Sequence, residues 1–165
     1  MNPSGPVIIG FDGSPAAERA VREAGALLAP ARPALVVVVW EAGRAYDVMD
    51  IPSLALETPP VPLDIRTATE VDLAMYETAQ RLAQHGANLA REAGLEAEGL
   101  AVADDVTVAD TLVRLAEENS SPAVVVGSHG HSDLRDLVLG GTARSVVQHA
   151  PCPVVVVRGE TKVKH

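Results

Sequence analysis

The chain has 165 residues, of which 47% are hydrophobic but only one is Trp, two are Tyr and one is Phe. This length predicts a single domain over residues 1–165 with a substantial core, which must be built from aliphatic side chains. The formal net charge of −9 argues against general binding to nucleic acid or to anionic membranes, because both need clustered Lys and Arg.

The first predicted element is a strand from Pro6 to Phe11. It follows an N-terminus that lacks the basic region and apolar core of a signal peptide, and no run in the chain approaches the ~20 apolar residues of a membrane span. After the first strand, residues 12–15 start a helix. Ser14 is its N-cap, and Pro15 takes the first helical position, where the missing N–H of proline costs nothing. Pro30 and Pro33 stop this helix. Its apolar face has helical spacing and consists of Ala17, Ala20, Val21, Ala24, Leu27 and Leu28.

Leu35 to Trp40 is a second, continuously apolar strand, as a parallel sheet covered on both faces requires. Residues 41–63 contain four prolines and are predicted to be a mobile, variable loop, with a lid or a partner surface as the less favoured alternative. A long helix from Ile65 to Ala93 follows, and Gly94 is its natural C-cap. The inward face predicted for this helix consists of Val71, Met75, Ala79, Leu82, Leu89 and Ala93.

Three more strands complete the pattern. Glu96 to Val102 predicts a strand near a sheet edge, Ala123 to Val126 a buried strand that ends at Gly127, and Val154 to Val157 the last strand before a tail at 159–165. A short amphipathic helix precedes the buried strand, and another begins near Thr142 or Ala143. The alternation of strands and helices predicts an α/β fold with one doubly wound, Rossmann-like parallel sheet, helices on both faces and right-handed crossovers.

The loop after the fourth strand indicates a phosphate cradle. Glycines at 127, 130, 140 and 141 lack Cβ, so their amides can approach an anion closely, and the following helix adds unpaired N–H groups and its dipole. On the loop alone, a plain tight turn is an equal interpretation. A P-loop is excluded because the only lysines, Lys162 and Lys164, lie in the tail, and no dinucleotide fingerprint follows the first strand.

The whole pattern, G-x-x-G, nine residues, then G-G-T, resembles the nucleotide-binding signature of the universal stress protein family. The opening VIIGFDGSPAAERAVREA also looks like that family's first strand and helix. The resemblance covers nearly the whole chain and implies five strands in the order 3-2-1-4-5. It differs at one position, because Gly141 stands where the family has Ser or Thr, and Thr142 comes one place later. The backbone donors remain, but that hydroxyl is missing.

The resemblance also implies a ligand, an assembly and a site. The ligand is ATP, or AMP or ADP in its place, with Mg²⁺ arriving with the nucleotide. Gly10 and Asp12 would lie against the nucleoside, and Val39 would contribute backbone contacts to the base. The ribose and phosphates would be wrapped by Gly127, Ser128, His129, Gly130, His131, Ser132, Asp133, Gly140, Gly141 and Thr142. The family's homodimers pair through the last strand, here Val154, Val155, Val156 and Val157, which is otherwise an apolar edge that needs cover.

Topology supports the same crevice independently, since ligands bind at the carboxyl ends of strands where the winding reverses, and there Asp12 and Gly127 follow strands one and four. Without the resemblance, Asp12 is better interpreted as a turn residue. His129, His131 and Asp133 make a weak metal site, and ligand contact or solvent exposure is favoured. We interpret His149 as structural at its helix end, and Arg135 and Arg144 as solvated.

The sequence lacks the motifs of efficient catalysis, including Ser-x-x-Lys and G-x-S-x-G, so we expect at most slow ATP hydrolysis. Cys152, the single cysteine, excludes an internal disulfide, suits the cytoplasm and is predicted to be a packed thiol. Together with these observations, the resemblance implies a cytoplasmic, ATP-binding, dimeric regulator of the stress response. Two alternatives remain open: a dimeric member without nucleotide, and an enzyme of the related ATP-pyrophosphatase type, which would want a Ser-Gly-Gly loop in place of FDGSP.

Overall fold

The computed structural model describes residues 4–28, 30–41, 65–104, 106–129 and 139–159. Nearly all of the predicted 41–63 loop and the 159–165 tail lie outside these residues. Strands and helices alternate along the described chain. The elements are β1 (Val7–Gly10), α1 (Pro15–Leu27), β2 (Pro33–Trp40), α2 (Ile65–Glu92), β3 (Glu96–Ala103), α3 (Val108–Glu118), β4 (Val124–Gly127), α4 (Gly141–His149) and β5 (Val154–Val157).

The five strands form one parallel sheet in the order β3-β2-β1-β4-β5. This confirms the predicted fold class and strand order. The chain winds outward from β1 through β2 to β3, returns to the other side of β1, and continues from β4 to β5. The winding therefore reverses between β1 and β4, which pair side by side with Ile8 opposite Val124 and Ile9 opposite Val125. A crevice is expected beyond the carboxyl ends of these two strands.

Helices cover both faces of the sheet. Helices α1 and α2 pack on one face, where Val7, Ile9 and Val36 point, and α3 and α4 pack on the other face, where Ile8 and Val37 point. Adjacent strand residues therefore alternate between two separate apolar cores. This arrangement explains why the strands are continuously apolar rather than alternating with polar residues.

Local sequence signals define the helix ends as predicted. The Ser14 hydroxyl accepts a hydrogen bond from the Ala17 N–H at 3.1 Å, and Pro15 occupies the first turn of α1. At the far end of α2, Gly94 has a φ of +99°, a left-handed conformation that glycine adopts without strain. There the Leu95 N–H donates to the Ala90 carbonyl and the Gly94 N–H to the Arg91 carbonyl, both at 3.0 Å, which is the Schellman arrangement.

Two of the predicted core faces were partly wrong. Leu27 is 65% exposed and Val71 is 38% exposed, so neither forms the inward face of its helix. The buried stripe of α2 consists instead of small residues, namely Ala79, Ala83, Gly86, Ala87 and Ala90. Small side chains let the helix backbone lie close to the sheet, whereas the predicted face, of which Ala79 is confirmed, consisted mainly of larger residues at helical spacing. Within the described chain, none of the helices has the length and apolar character needed to span a membrane.

Candidate functional site

The turn after β1 is held by its own side chains. The Asp12 carboxylate accepts a hydrogen bond from the Ser14 N–H at 2.9 Å, and Gly13 between them has a φ of +77°. This is the Asx turn expected of an aspartate at this place, and it links the end of β1 to the cap of α1. Asp12 therefore has the structural role that the residue pattern favoured, and this role leaves its side chain at the mouth of the crevice.

The turn after β4 is anchored on two sides. The Ser128 N–H donates to the Val157 carbonyl of β5, and the Ser128 carbonyl accepts from the Gly140 N–H, each at 2.8 Å. The second bond brings the start of α4 back to the end of β4. A Cβ on Gly140 would lie 3.1 Å from the Ser128 carbonyl oxygen, so this close approach favours glycine. Helix α4 begins at Gly141, one residue before the predicted start.

A cleft of about 180 Å³ lies between these two turns. Six predicted site residues line it: Gly10, Asp12, Val39, Gly127, His129 and Thr142. Ser128 is buried and does not line the cleft. Gly140 and Gly141 at the start of α4 do not line it either, although they are more exposed. The remaining predicted residues, Gly130, His131, Ser132 and Asp133, lie outside the described residues.

Sequence reasoning missed the apolar walls of the cleft. Val37 lies two residues before Val39 and therefore on the same side of β2, so strand periodicity could have found it. Val108 and Leu112 are four residues apart in the first turns of α3, and they were predicted only as part of the short amphipathic helix that precedes the fourth strand. The other missed lining residues are Phe11, Ala17 and Val126. The cleft is thus a mostly apolar slot with a polar mouth.

Only two of the described lining residues are ionisable, Asp12 and His129. The described lining residues include no Lys or Arg, so backbone N–H groups are the donors that the site offers to an anion. The N-cap of α4 is Gly140, which makes no side-chain capping bond. The first N–H groups of α4 consequently lack the side-chain acceptor that Ser14 supplies to α1 and Thr107 to α3. Such a helix start, next to the glycine-rich end of β4, is chemically suited to an anionic oxygen.

The described residues contain no cluster of three or more His, Cys, Asp or Glu side chains that could hold a metal ion. Cys152 is half-buried against the core formed with α3 and α4, and desolvation by burial raises the pKa of its thiol. Both observations agree with the predicted packed thiol. A raised pKa keeps the sulfur protonated at neutral pH, the less nucleophilic form.

A larger concavity, about 630 Å³ in volume, lies at the opposite end of the sheet. It is open to solvent and formed around the amino ends of β2 and β3, with Pro33, Glu96 and Arg91 among its lining residues. None of the predicted site residues that the structure describes lines it. In an open α/β sheet the carboxyl ends of the strands carry the ligand site, so the smaller cleft is the candidate.

Comparison with known proteins agrees with the fold. The universal stress protein MJ0577 of Methanocaldococcus jannaschii is 31% identical over 67 residues, which are 39% of this chain and 41% of that protein. Universal stress protein YxiE of Bacillus subtilis is 31% identical over 78 residues, or 47% of this chain and 51% of its own. The matched stretch thus spans about half or less of the length of either relative.

Solved structures match over almost the full chain. The MJ0577 structure superposes with a TM-score of 0.74 at 18% identity, covering 97% of this chain and 99% of that one. A universal stress protein from Archaeoglobus fulgidus in complex with dAMP gives 0.56 at 22% identity and covers 93% and 97% of the two chains. A family protein from Arabidopsis thaliana with AMP bound gives 0.61 at 17% identity and covers 98% and 96%.

These structural likenesses establish a shared fold. The family itself is established by sequence, because the model of the universal stress protein family matches residues 4–158, almost the entire chain. The match includes both turns that form the cleft and the strand β5 at the sheet edge. The chain therefore belongs to the universal stress protein family.

Proposed function

We propose that this protein binds an adenine nucleotide in the cleft between β1 and β4, and that the bound nucleotide regulates its role in the stress response. The observation that carries the proposal is the cleft itself. It lies where the winding of the sheet reverses, and it combines apolar walls with Gly127 at the end of β4 and with the start of α4, whose N-cap makes no side-chain capping bond. An apolar slot suits a flat base, and unpaired amides suit a phosphate.

The proposed binding mode assigns a role to each wall. The base lies between β2 and α3, with Val39 supplying backbone contacts, and the nucleoside lies against Gly10 and Asp12. The amides of Gly127 and of the first turn of α4 receive the phosphates. The other residues proposed for the ribose and phosphates are Ser128, His129, Gly130, His131, Ser132, Asp133, Gly140, Gly141 and Thr142. Mg²⁺ would arrive with ATP, and Asp12 is the one carboxylate among the described lining residues.

Proteins of the same fold support the choice of ligand. The structures that resemble this chain include universal stress proteins in complex with dAMP, with cAMP and with AMP. These ligands share an adenine base, a sugar and one phosphate group. We propose ATP as the ligand of this chain, with AMP or ADP as substitutes, because its motifs resemble the nucleotide-binding signature of the family.

The proposal includes a homodimer in the cytoplasm. Strand β5 is the last strand of the sheet, and its four valines would leave an apolar edge open to other chains unless a second copy covers it. The single cysteine is compatible with a reducing compartment. Native mass spectrometry of freshly purified protein tests both assignments of assembly and ligand, since a retained nucleotide and the mass of a dimer appear in one spectrum.

Isothermal titration with Mg-ATP and with AMP tests the binding site. Gly127→Glu introduces a carboxylate at the end of β4 and should abolish binding, because the negative charge competes with the phosphates for the same amides. Gly127→Ala is the matched control: the added Cβ would lie 3.4 Å from Ala16 and His129 backbone atoms, an ordinary contact distance, so the fold should persist. Equal binding by wild type and Gly127→Glu would remove the glycine-rich turn from the proposal.

A further inference from the structure

We infer that Arg91 closes the outer edge of β3 to strand pairing, so that the sheet accepts a second copy of the chain at β5 alone. The two outermost strands of the sheet are β3 and β5. An uncovered outer strand can pair with a strand of another copy, which leads to uncontrolled association. The inference rests on the proposed function only for the dimer at β5, and it does not involve the nucleotide.

The backbone groups on the outer edge of β3 belong to its odd-numbered residues. The Glu96 N–H donates to the Arg32 carbonyl at 3.0 Å, and the Asp104 N–H donates to the Trp40 carbonyl at 2.9 Å. Even-numbered residues of β3 therefore direct their N–H and C=O groups toward β2, and alternation directs those of the odd-numbered residues away from it. The outward residues are Ala97, Gly99, Ala101 and Ala103.

Arg91, in the last turn of α2, occupies one of these outward groups. Its Nε donates to the Ala97 carbonyl at 2.9 Å in a partly buried contact. Its Nη1 donates to the Asn88 side chain at 2.8 Å, and Asn88 also accepts from the Gln84 side chain at 3.2 Å. A strand that pairs with β3 would need the Ala97 carbonyl as an acceptor. It would therefore have to displace a charged group that is held in place from the helix.

Helix α2 can place a side chain at this edge because it lies directly against β3. A Cβ on Gly99 would lie 2.6 Å from the Ala83 carbonyl oxygen and 2.9 Å from the Gln84 backbone nitrogen. Gln84, Asn88 and Arg91 follow one side of the helix at spacings of four and three residues, and all three are exposed. Their mutual hydrogen bonds lead along the helix to the guanidinium on the strand edge.

The two outer strands of the sheet differ in charge. Strand β3 contains two exposed glutamates, Glu96 and Glu98, whereas β5 consists of four valines. Charged side chains on an outer strand oppose pairing because a partner strand would desolvate them, while an apolar strand favours pairing. The chain thus has one edge suited to a second copy and one edge protected from it. An assembly that uses the same single edge of each copy closes at two copies.

The test compares the masses of wild type and Arg91→Met in sedimentation and native mass spectrometry. Methionine keeps an unbranched side chain but has neither the charge nor the N–H donors of arginine. If wild type is a dimer through β5, each dimer presents two β3 edges, so we expect Arg91→Met to form species at multiples of the dimer mass. If wild type is a monomer, we expect Arg91→Met to form a dimer and nothing larger, because β5 then does not pair.

Three further variants complete the design. Arg81→Met is the matched control, because it removes the same charge from an exposed position of the same helix, where Arg81 donates to the Thr78 hydroxyl. It should keep the wild-type mass. Arg91→Lys keeps a cation with N–H donors at the edge and should keep that mass too. Addition of Ala101→Pro to Arg91→Met removes an outward N–H of β3 but leaves the bonds to β2 in place, so it should restore the wild-type mass.

The outcomes separate this inference from the proposed dimer. A wild-type mass for Arg91→Met overturns the inference. Larger species that persist after Ala101→Pro is added also overturn it, because the association then does not use β3 and reflects misfolding or another surface. Larger species in Arg81→Met would assign the effect to net charge and overturn it as well. A wild-type monomer refutes the proposed dimer, and the dimer of Arg91→Met then still supports the role of Arg91.

Discussion

At the scale of single residues, Asp12 has a structural and a proposed binding role that different substitutions can separate. Its carboxylate accepts from the Ser14 N–H at 2.9 Å and also lines the cleft. Asp12→Asn keeps an oxygen for that bond, so we expect the free energy of unfolding to change by less than about 0.5 kcal/mol. Asp12→Ala removes the acceptor and should cost about 1 kcal/mol. Urea denaturation measures both values.

The same two variants test the contact of Asp12 with the nucleoside. Loss of the charged acceptor should weaken nucleotide binding about tenfold in both, because hydrogen bonds to ionised groups are the stronger ones. Titration calorimetry gives the affinity. Wild-type affinity in Asp12→Asn, together with unchanged stability, would show that the residue serves only the turn.

Gly141 stands where the resemblance to the family's signature implies Ser or Thr, and the structure leaves room there for a side chain. A Cβ added there meets no atom within 4 Å, and the position is the first of α4. Gly141→Ser should raise the free energy of unfolding by about 0.5 kcal/mol, because serine loses less backbone entropy in a helix than glycine. If a nucleotide phosphate lies at this helix start, the new hydroxyl should also tighten ATP binding severalfold.

Gly141→Ala separates the two effects of that substitution. It should give at least the same gain in stability, measured by thermal unfolding, without the gain in affinity. An affinity gain of equal size in the alanine variant would assign the effect to helix stability rather than to the hydroxyl. If ATP affinity rises in neither variant, the phosphates do not lie at this end of α4.

At the scale of elements, the long helix α2 lies against β2 and β3 because small residues line the contact. A Cβ on Gly99 of β3 would come within 2.6 Å of the Ala83 carbonyl group, too close for any side chain without movement of the helix. Gly99→Val should therefore destabilise the protein by about 2 kcal/mol or more, as overpacking does. Glu98→Val is the matched control on the same strand, since Glu98 is exposed, and it should change the urea midpoint little. Equal midpoints for the two variants would contradict this account of the packing.

The packing of α2 on β2 and β3 also shows which features could be predicted from the sequence and which could not. The strands, the caps at Ser14 and Gly94 and the helix order follow from local signals, because proline, glycine and β-branched residues restrict the backbone directly. The choice of Ala83 and Ala87 over Val71 as the inner face of α2 depends on how near the sheet the helix lies. That distance is a tertiary property: Gly99 lets Ala83 of α2 lie close to β3, and Gly86 lets α2 lie close to Val36 of β2 and to Phe11.

The cleft illustrates the same limit at the scale of the whole molecule. Asp12 and Gly127 could be placed together in advance, because the rule for parallel sheets identifies the end of the strands and the point where their order reverses. The role of Val108 and Leu112 in the cleft could not be predicted in this way. A helix that only covers the sheet and a helix that also lines a cleft have the same spacing of apolar residues. Their role depends on how far α3 extends past the carboxyl ends of the strands.

The proposed dimer is a property of the whole molecule, and the alternation of bonds along β5 provides its test. The Pro153 and Val157 carbonyls accept from β4 at 3.0 Å and 2.8 Å, so odd-numbered residues of the strand direct their backbone groups toward β4. Alternation then directs the N–H of Val156 to the outer edge. Val156→Pro removes a donor that a second copy would need and leaves the bonds to β4 in place, so we expect the protein to remain folded and become a monomer in native mass spectrometry and sedimentation. Val155→Pro is the contrast, because its lost N–H faces β4, and it should lower the urea midpoint. If wild type is itself monomeric, or if Val156→Pro remains dimeric, the partner does not pair along β5.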